Sequence, residues 1–123
     1  MKNKALIAVL ILVIIVFIAS IAVTQTSIVK QTNITPNQDK LNQGSELTVT
    51  LTDEDGKPLA NKDVQILIVG VTYNRTTDSN GEAKLNINLL PGDYGLILTF
   101  DGDLFYKAST SVNSLKVLNN TLN

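Results

Sequence analysis

Residues 46–52 read Glu-Leu-Thr-Val-Thr-Leu-Thr, so an extended chain puts Leu47, Val49 and Leu51 on one side and Thr48, Thr50 and Thr52 on the other. A helix would scatter the three apolar side chains around its axis, whereas successive residues of a strand alternate between two faces. The segment is therefore a strand with one buried face and one wet face. The same period returns at Ala83, Leu85 and Ile87, opposite Glu82, Lys84, Asn86 and Asn88, and again at Tyr94, Leu96, Leu98 and Phe100. Strands with a polar face belong to antiparallel sheets, because parallel sheets are covered on both sides.

Turn formers separate these runs. Asp53-Glu54-Asp55-Gly56-Lys57-Pro58 combines carboxylates that bond nearby amides, a glycine and a proline, and reads as an exposed loop. Residues 64–69 are almost continuously apolar and rich in β-branched side chains, which suits a central strand, and Gly70 turns the chain into a further strand near residues 73–77. The Asn80-Gly81 pair fits a tight hairpin in which both residues take positive φ. Pro91-Gly92-Asp93 and Asp101-Gly102-Asp103 make two more turns, and a last strand covers residues 111–118 with Leu115 and Val117 inward. Residues 24–43 are rich in Thr, Gln, Asn and Ser; they read as a polar stalk that can supply an irregular first strand near residues 28–34. The expectation is an all-β fold, an antiparallel sandwich of about seven strands over residues 44–118, with a tail at 119–123.

The beginning of the chain has a different character. From residue 5 to residue 23 only Ser20 is not apolar. As a helix this run would extend roughly 28 Å at about 1.5 Å per residue, close to the thickness of a bilayer's hydrocarbon core. Lys2 and Lys4 precede it and no charge follows before Lys30, so the positive-inside rule puts the N-terminus in the cytoplasm and residues 24–123 outside. Ser20-Ile21-Ala22 also has the small residues of a signal-cleavage site, and cleavage would yield a secreted domain. The apolar run is longer than the usual core of a cleaved signal, about 15 residues at most, which favours a retained single-pass anchor in the cell membrane.

Composition narrows the chemistry. Removing Lys2 and Lys4 from the 10 basic residues leaves 8 against 11 acidic ones, a net charge of −3 on residues 24–123. That balance supplies no basic footprint for nucleic acid. The chain has no cysteine and no histidine, which removes thiolate and imidazole zinc sites, disulfides, cysteine nucleophiles and histidine general bases. The remaining Ser, Lys and carboxylates show no spacing that pairs a nucleophile with its base. No enzyme and no cofactor is expected.

Residues 44–117 resemble the immunoglobulin-like domains of bacterial and archaeal surface proteins of the invasin and adhesin-like type. The resemblance is carried by residues 47–51, Asp55-Gly56-Lys57-Pro58-Leu59, Thr77-Asp78-Ser79-Asn80-Gly81-Glu82-Ala83, Pro91-Gly92-Asp93-Tyr94, and Phe100-Asp101-Gly102-Asp103 with Tyr106. The elements at Thr77-Asp78 with Gly81, and at Pro91-Gly92 with Tyr94, are shared with transthyretin-like and carboxypeptidase-regulatory-like domains. The resemblance implies an adhesin-like binding or structural module whose partner is a surface polymer, a glycan or a protein. The alternatives are an accessory subunit of a larger membrane or envelope complex, and a secreted transthyretin-like carrier.

A few residues stand out as candidate sites. Tyr94, just after a turn, suits a tyrosine whose ring packs inward while its hydroxyl bonds backbone, and Gly81 and Gly92 suit structural turns. Asp53, Asp55, Asp101 and Asp103 could offer oxygen ligands to calcium if their loops met, although such turns commonly serve the backbone alone. Asn33, Asn74 and Asn119 begin Asn-x-Thr sequons and are permissible glycosylation sites on an exported domain.

Overall fold

The computed structural model of the protein describes residues 29–119, which form two packed β-sheets and no helix. The apolar run at residues 5–23, expected to span a membrane, lies outside the described residues. Eight strands follow in order: β1 (Thr32–Pro36), β2 (Lys40–Asn42), β3 (Glu46–Asp53), β4 (Asp63–Ile68), β5 (Val71–Thr76), β6 (Glu82–Asn86), β7 (Gly92–Phe100) and β8 (Ser109–Leu118). One sheet has the order β1-β3-β6 and the other β2-β8-β7-β4-β5. Lettered as in immunoglobulin domains, these sheets are A-B-E and A′-G-F-C-C′.

The alternation seen in the sequence is the packing. Along β3, Leu47, Val49 and Leu51 are fully buried between half-buried threonines, and β4 repeats this with Val64, Ile66 and Ile68. Leu96, Leu98 and Phe100 of β7 and Leu115 and Val117 of β8 complete a single core shared by both sheets. Each such side chain contributes about 1.5–3 kcal/mol by leaving water, so the facing rows hold the sheets together.

Residues 30–42 do more than form a stalk. Strand β1 pairs with β3, placing Ile34 opposite Leu51 at 2% exposure; the chain then crosses to the other sheet, where β2 lies parallel to β8 and buries Leu41. Pro36 is accommodated because β1 is an edge strand and need not donate outward. The crossing stays bonded to β3: the Gln38 side chain accepts at Oε1 from Thr48 N at 3.0 Å, and the Asn37 backbone N donates to Thr48 O at 2.8 Å. The sandwich therefore has eight strands, one pair of them parallel, where about seven antiparallel ones were expected. Each of the first two strands buries a single apolar residue, too few to show a period.

The Asn80-Gly81 turn also differs from expectation. It joins β5 to β6, which lie in different sheets, and only Gly81 has positive φ. Gly81 fits between strands rather than at a hairpin tip: a Cβ there would lie 2.7 Å from Leu51 O and 3.0 Å from Leu59 N. The tight two-residue hairpin occurs instead at Val69-Gly70, between Ile68 and its partner Val71.

Ile34→Ala and Leu41→Ala should each destabilise the domain by about 2–5 kcal/mol, as buried truncations do, whereas Val112→Ala on the exposed face of β8 should change it by less than about 0.5 kcal/mol. Urea unfolding of the full chain in detergent micelles, followed by circular dichroism, makes the comparison.

Candidate functional site

Strand register defines two ends of the sandwich. β3 runs from Glu46 to Asp53 antiparallel to β6, and Val64 of β4 faces Phe100 of β7 while Ile68 faces Leu96. Thus Asp53, Asp63, Thr76, Glu82, Phe100 and Ser109 lie at one end, together with Lys30, where the chain comes in. Ile68, Val71, Asn86 and Gly92 lie at the other.

At the Lys30 end the acidic residues serve the backbone. Asp53 Oδ1 accepts from the amides of Asp55 (2.8 Å) and Lys57 (3.0 Å), while Asp53 N donates to Lys57 O and Gly56 N to Asp53 O. Residues 78–82 repeat the arrangement. Asp78 Oδ1 accepts from Asn80 N (2.9 Å) and Glu82 N (3.0 Å), with Asp78 N bonding Glu82 O and Gly81 N bonding Asp78 O. The shared spelling is Asp-x-x-Gly, in which the carboxylate caps the loop amides and the glycine takes φ of 81° or 73°. Asp103 does similar work for Phe105 N (2.8 Å) and Tyr106 N (2.9 Å). Asp53, expected in an exposed loop, has a side chain only 1% exposed.

The four aspartates considered for calcium separate into two pairs, each facing a lysine. Lys30 Nζ donates to Asp55 Oδ2 at 2.8 Å and lies 3.9 Å from Asp53 Oδ2. Lys62 Nζ donates to Asp103 Oδ2 at 2.5 Å and sits 5.1 Å from the centre of the Tyr106 ring, while Asp101 accepts from Gln65 Nε2. Lys30 thus pairs with Asp55 and Lys62 with Asp103, and among the described residues no three acidic side chains come together as a metal site. The sequence had singled out neither lysine, since nothing local marks them. Thr77, which the sequence marked only as part of a motif, has a buried hydroxyl that donates to Leu59 O (2.6 Å) and accepts from Lys62 N (2.9 Å), stitching down the loop after β3.

Asn33 and Asn74 lie exposed on β1 and β5, and Asn119 is exposed just after β8. Tyr94 sits at the start of β7, packed against the core, and its hydroxyl donates to Leu90 O at 2.6 Å. That bond closes the loop 87–91, which leads into β7 through Gly92 at φ of 156°.

The end opposite Lys30 exposes several apolar side chains among polar ones. The sequence joins β5 to β6 through only five residues, 77–81, and among the described residues no strand covers the side of the sandwich between their edges. There a groove of about 240 Å³ opens, lined by Ile68, Val71, Tyr73, Leu85, Ile87 and Leu89 among others. Val69 and Val71 in its lining are 59% and 48% exposed, and Leu90, next to the lining residue Leu89, is 74% exposed. Val69 has φ of 53°, a conformation that costs a β-branched residue about 1–3 kcal/mol.

The family model for the macroglobulin domain MG4 matches residues 46–103, from β3 through the turn after β7. Among solved structures, the chain is similar to the X-ray structure of an endo-beta-1,4-mannanase from Thermotoga petrophila, at 12% identity and a TM-score of 0.50. The likeness covers 74% of this chain and only 20% of that one, and it concerns the fold alone. No curated protein matches this chain. With the strand order above, these similarities define the class: residues 30–118 are an immunoglobulin-like β-sandwich domain.

The carboxyl groups of Asp53, Asp78 and Asp103 are all held below the ordinary aspartate value: Asp53 chiefly by the Lys57 amide, Asp78 by the Glu82 amide and Asp103 by the Lys62 ammonium. Folding therefore favours their ionised forms. The stabilisation is fully present above the unfolded aspartate pKa of about 3.9 and is lost as pH falls through the lower folded values. Melting temperature should be nearly flat from about pH 7 to pH 5 and drop below about pH 4. Asp53→Asn, which keeps an acceptor oxygen without the charge, should flatten that acid limb in a pH series of thermal melts.

Proposed function

We propose that the protein is a non-catalytic binding module of a cell surface, anchored through residues 5–23, which offers the apolar end of its sandwich to a protein partner. The observation that carries this reading is Val69: an exposed valine kept in a strained conformation at a hairpin tip, beside an apolar groove. Asparagine or glycine would relieve the strain at that position, so valine sacrifices stability for an apolar contact surface. The groove lies at the end opposite Lys30, and thus away from the membrane if the preceding residues cross it. An unpaired apolar surface suits a protein better than a heavily hydrated polysaccharide.

The similarity to a macroglobulin domain supports a structural or interaction role for the fold, and the adhesin-like reading remains part of this proposal. The accessory-subunit alternative uses the same groove and differs in the partner's location, within the same envelope rather than on another surface. A small-molecule carrier is less well supported, because Leu47, Val49, Leu51, Ile66, Leu96 and Leu98 fill the interior at zero exposure and the groove is open to one side.

A photo-crosslinking residue in place of Leu90, in native membranes, should give a discrete protein adduct that Val71→Asp weakens. Val69→Asn should raise stability by about 1 kcal/mol and yet reduce the same adduct. Adduct formation indifferent to both changes, or confined to wall polymer, would contradict the reading. A stoichiometric adduct with a membrane protein of the same envelope would select the accessory role.

A further inference from the structure

The loop between β7 and β8 exposes Leu104 and Phe105 to 85% and 59%. These are not the side chains of a loosely held loop. Asp103 caps the amides of Phe105 and Tyr106, Asp103 N donates to Tyr106 O at 2.9 Å, and Tyr106 packs against the core with Lys62 over its ring. Gly102, at φ of 82°, lets the loop close where a Cβ would meet Ala108 N at 2.8 Å. The loop therefore presents two adjacent apolar side chains on a braced support.

Their position ties them to the first part of the chain. Lys30 N donates to Phe105 O at 3.0 Å and Lys107 N donates to Lys30 O at 2.8 Å, so the tip adjoins the point at which the chain enters the sandwich. Only seven peptide steps separate Val23, the last residue of the apolar run, from Lys30. Fully extended, they span at most about 24 Å. If residues 5–23 cross a bilayer, Lys30, beside the tip, stays within that distance of Val23 at its surface.

The geometry points to Leu104 and Phe105 as a second membrane contact, inserted at the headgroup–acyl boundary of the bilayer that residues 5–23 span. This inference rests on the anchor reading given under Proposed function. Two apolar side chains would bind a bilayer weakly alone, but the short tether keeps their local concentration at the surface high. Asp53, Glu54, Asp55, Asp101 and Asp103 surround the tip together with Lys30, Lys57, Lys62 and Lys107, so this end has no positive excess to attract anionic headgroups. The contact is apolar, and it works on uncharged lipid. Its consequence is orientation, since a second fixed point beside the tether limits the tilt of the sandwich and keeps the end bearing Val69 and Leu90 directed outward.

The chain contains no tryptophan, so single tryptophans report without background. Full-length Phe105→Trp, Leu104→Trp and Leu90→Trp are reconstituted in phosphatidylcholine vesicles with brominated acyl chains. Emission at positions 105 and 104 should be quenched at least about twofold more than at position 90, with a blue shift at the first two. If the chain floats with the vesicles and all three positions are equally unquenched, the tip contact is overturned and the anchor stands. If the chain does not float with the vesicles, the anchor reading falls and the inference falls with it.

Discussion

Two rows of alternating side chains pressed face to face hold this domain together, and the rest of the structure depends on their register. Leu47, Val49 and Leu51 on one sheet, with Ile66, Leu96, Leu98 and Leu115 on the other, leave no exposed surface. A one-residue slip in any of these strands would turn its buried row to solvent, so the register is strongly specified. Once it is fixed, so are the two ends of the sandwich. Everything of functional interest follows from which residues fall at which end.

The end at Lys30 is built from polar interactions, and that suits its position. Two Asp-x-x-Gly loops of matching geometry cap their own amides, and Lys30 and Lys62 pair with Asp55 and Asp103. Lys30 bonds the loop before β8 through its backbone and the loop after β3 through its side chain. The incoming chain is thereby tied to both sheets. The opposite end has its own ties, Tyr94 to Leu90 O and Gly44 N to Ile87 O, but among the described residues it also has an uncovered side between β5 and β6, a hairpin turning on a strained valine, and exposed apolar residues around a groove. One end is braced where the chain arrives and exposes Leu104 and Phe105, and the other exposes Val69, Val71 and Leu90 beside the groove.

Much of the fold was legible in the sequence. The alternation of β3, β6 and β7 reads directly as one buried and one wet face, and the turns follow from Asp-Gly and Pro-Gly pairs. The first two strands were partly hidden because the chain changes sheets between them, leaving Ile34 and Leu41 as isolated apolar residues in a polar stretch. Asn80-Gly81 misled because its turn chemistry is local, while the choice between a hairpin and a crossing between sheets is set by where β6 packs. Of the candidate site, the acidic turns were visible and their role was not. What an aspartate bonds depends on the fold around it, and Lys30 and Lys62 reach Asp55 and Asp103 from 25 and 41 residues away. Val69 could not be read as strained from sequence, since its positive φ appears only once Ile68 is known to pair with Val71.

The proposed topology has the sandwich tethered at the Lys30 end, outside the membrane, with the end bearing Val69 and Leu90 outward. Because the chain contains no cysteine, single cysteines at Lys2 and Leu90 can be labelled without background. A membrane-impermeant maleimide applied to intact cells should modify Leu90→Cys at once and Lys2→Cys only after permeabilisation, each on a band of full-length mass. Protection of Leu90→Cys until the cells are opened, or a labelled product that begins after residue 22, would contradict it.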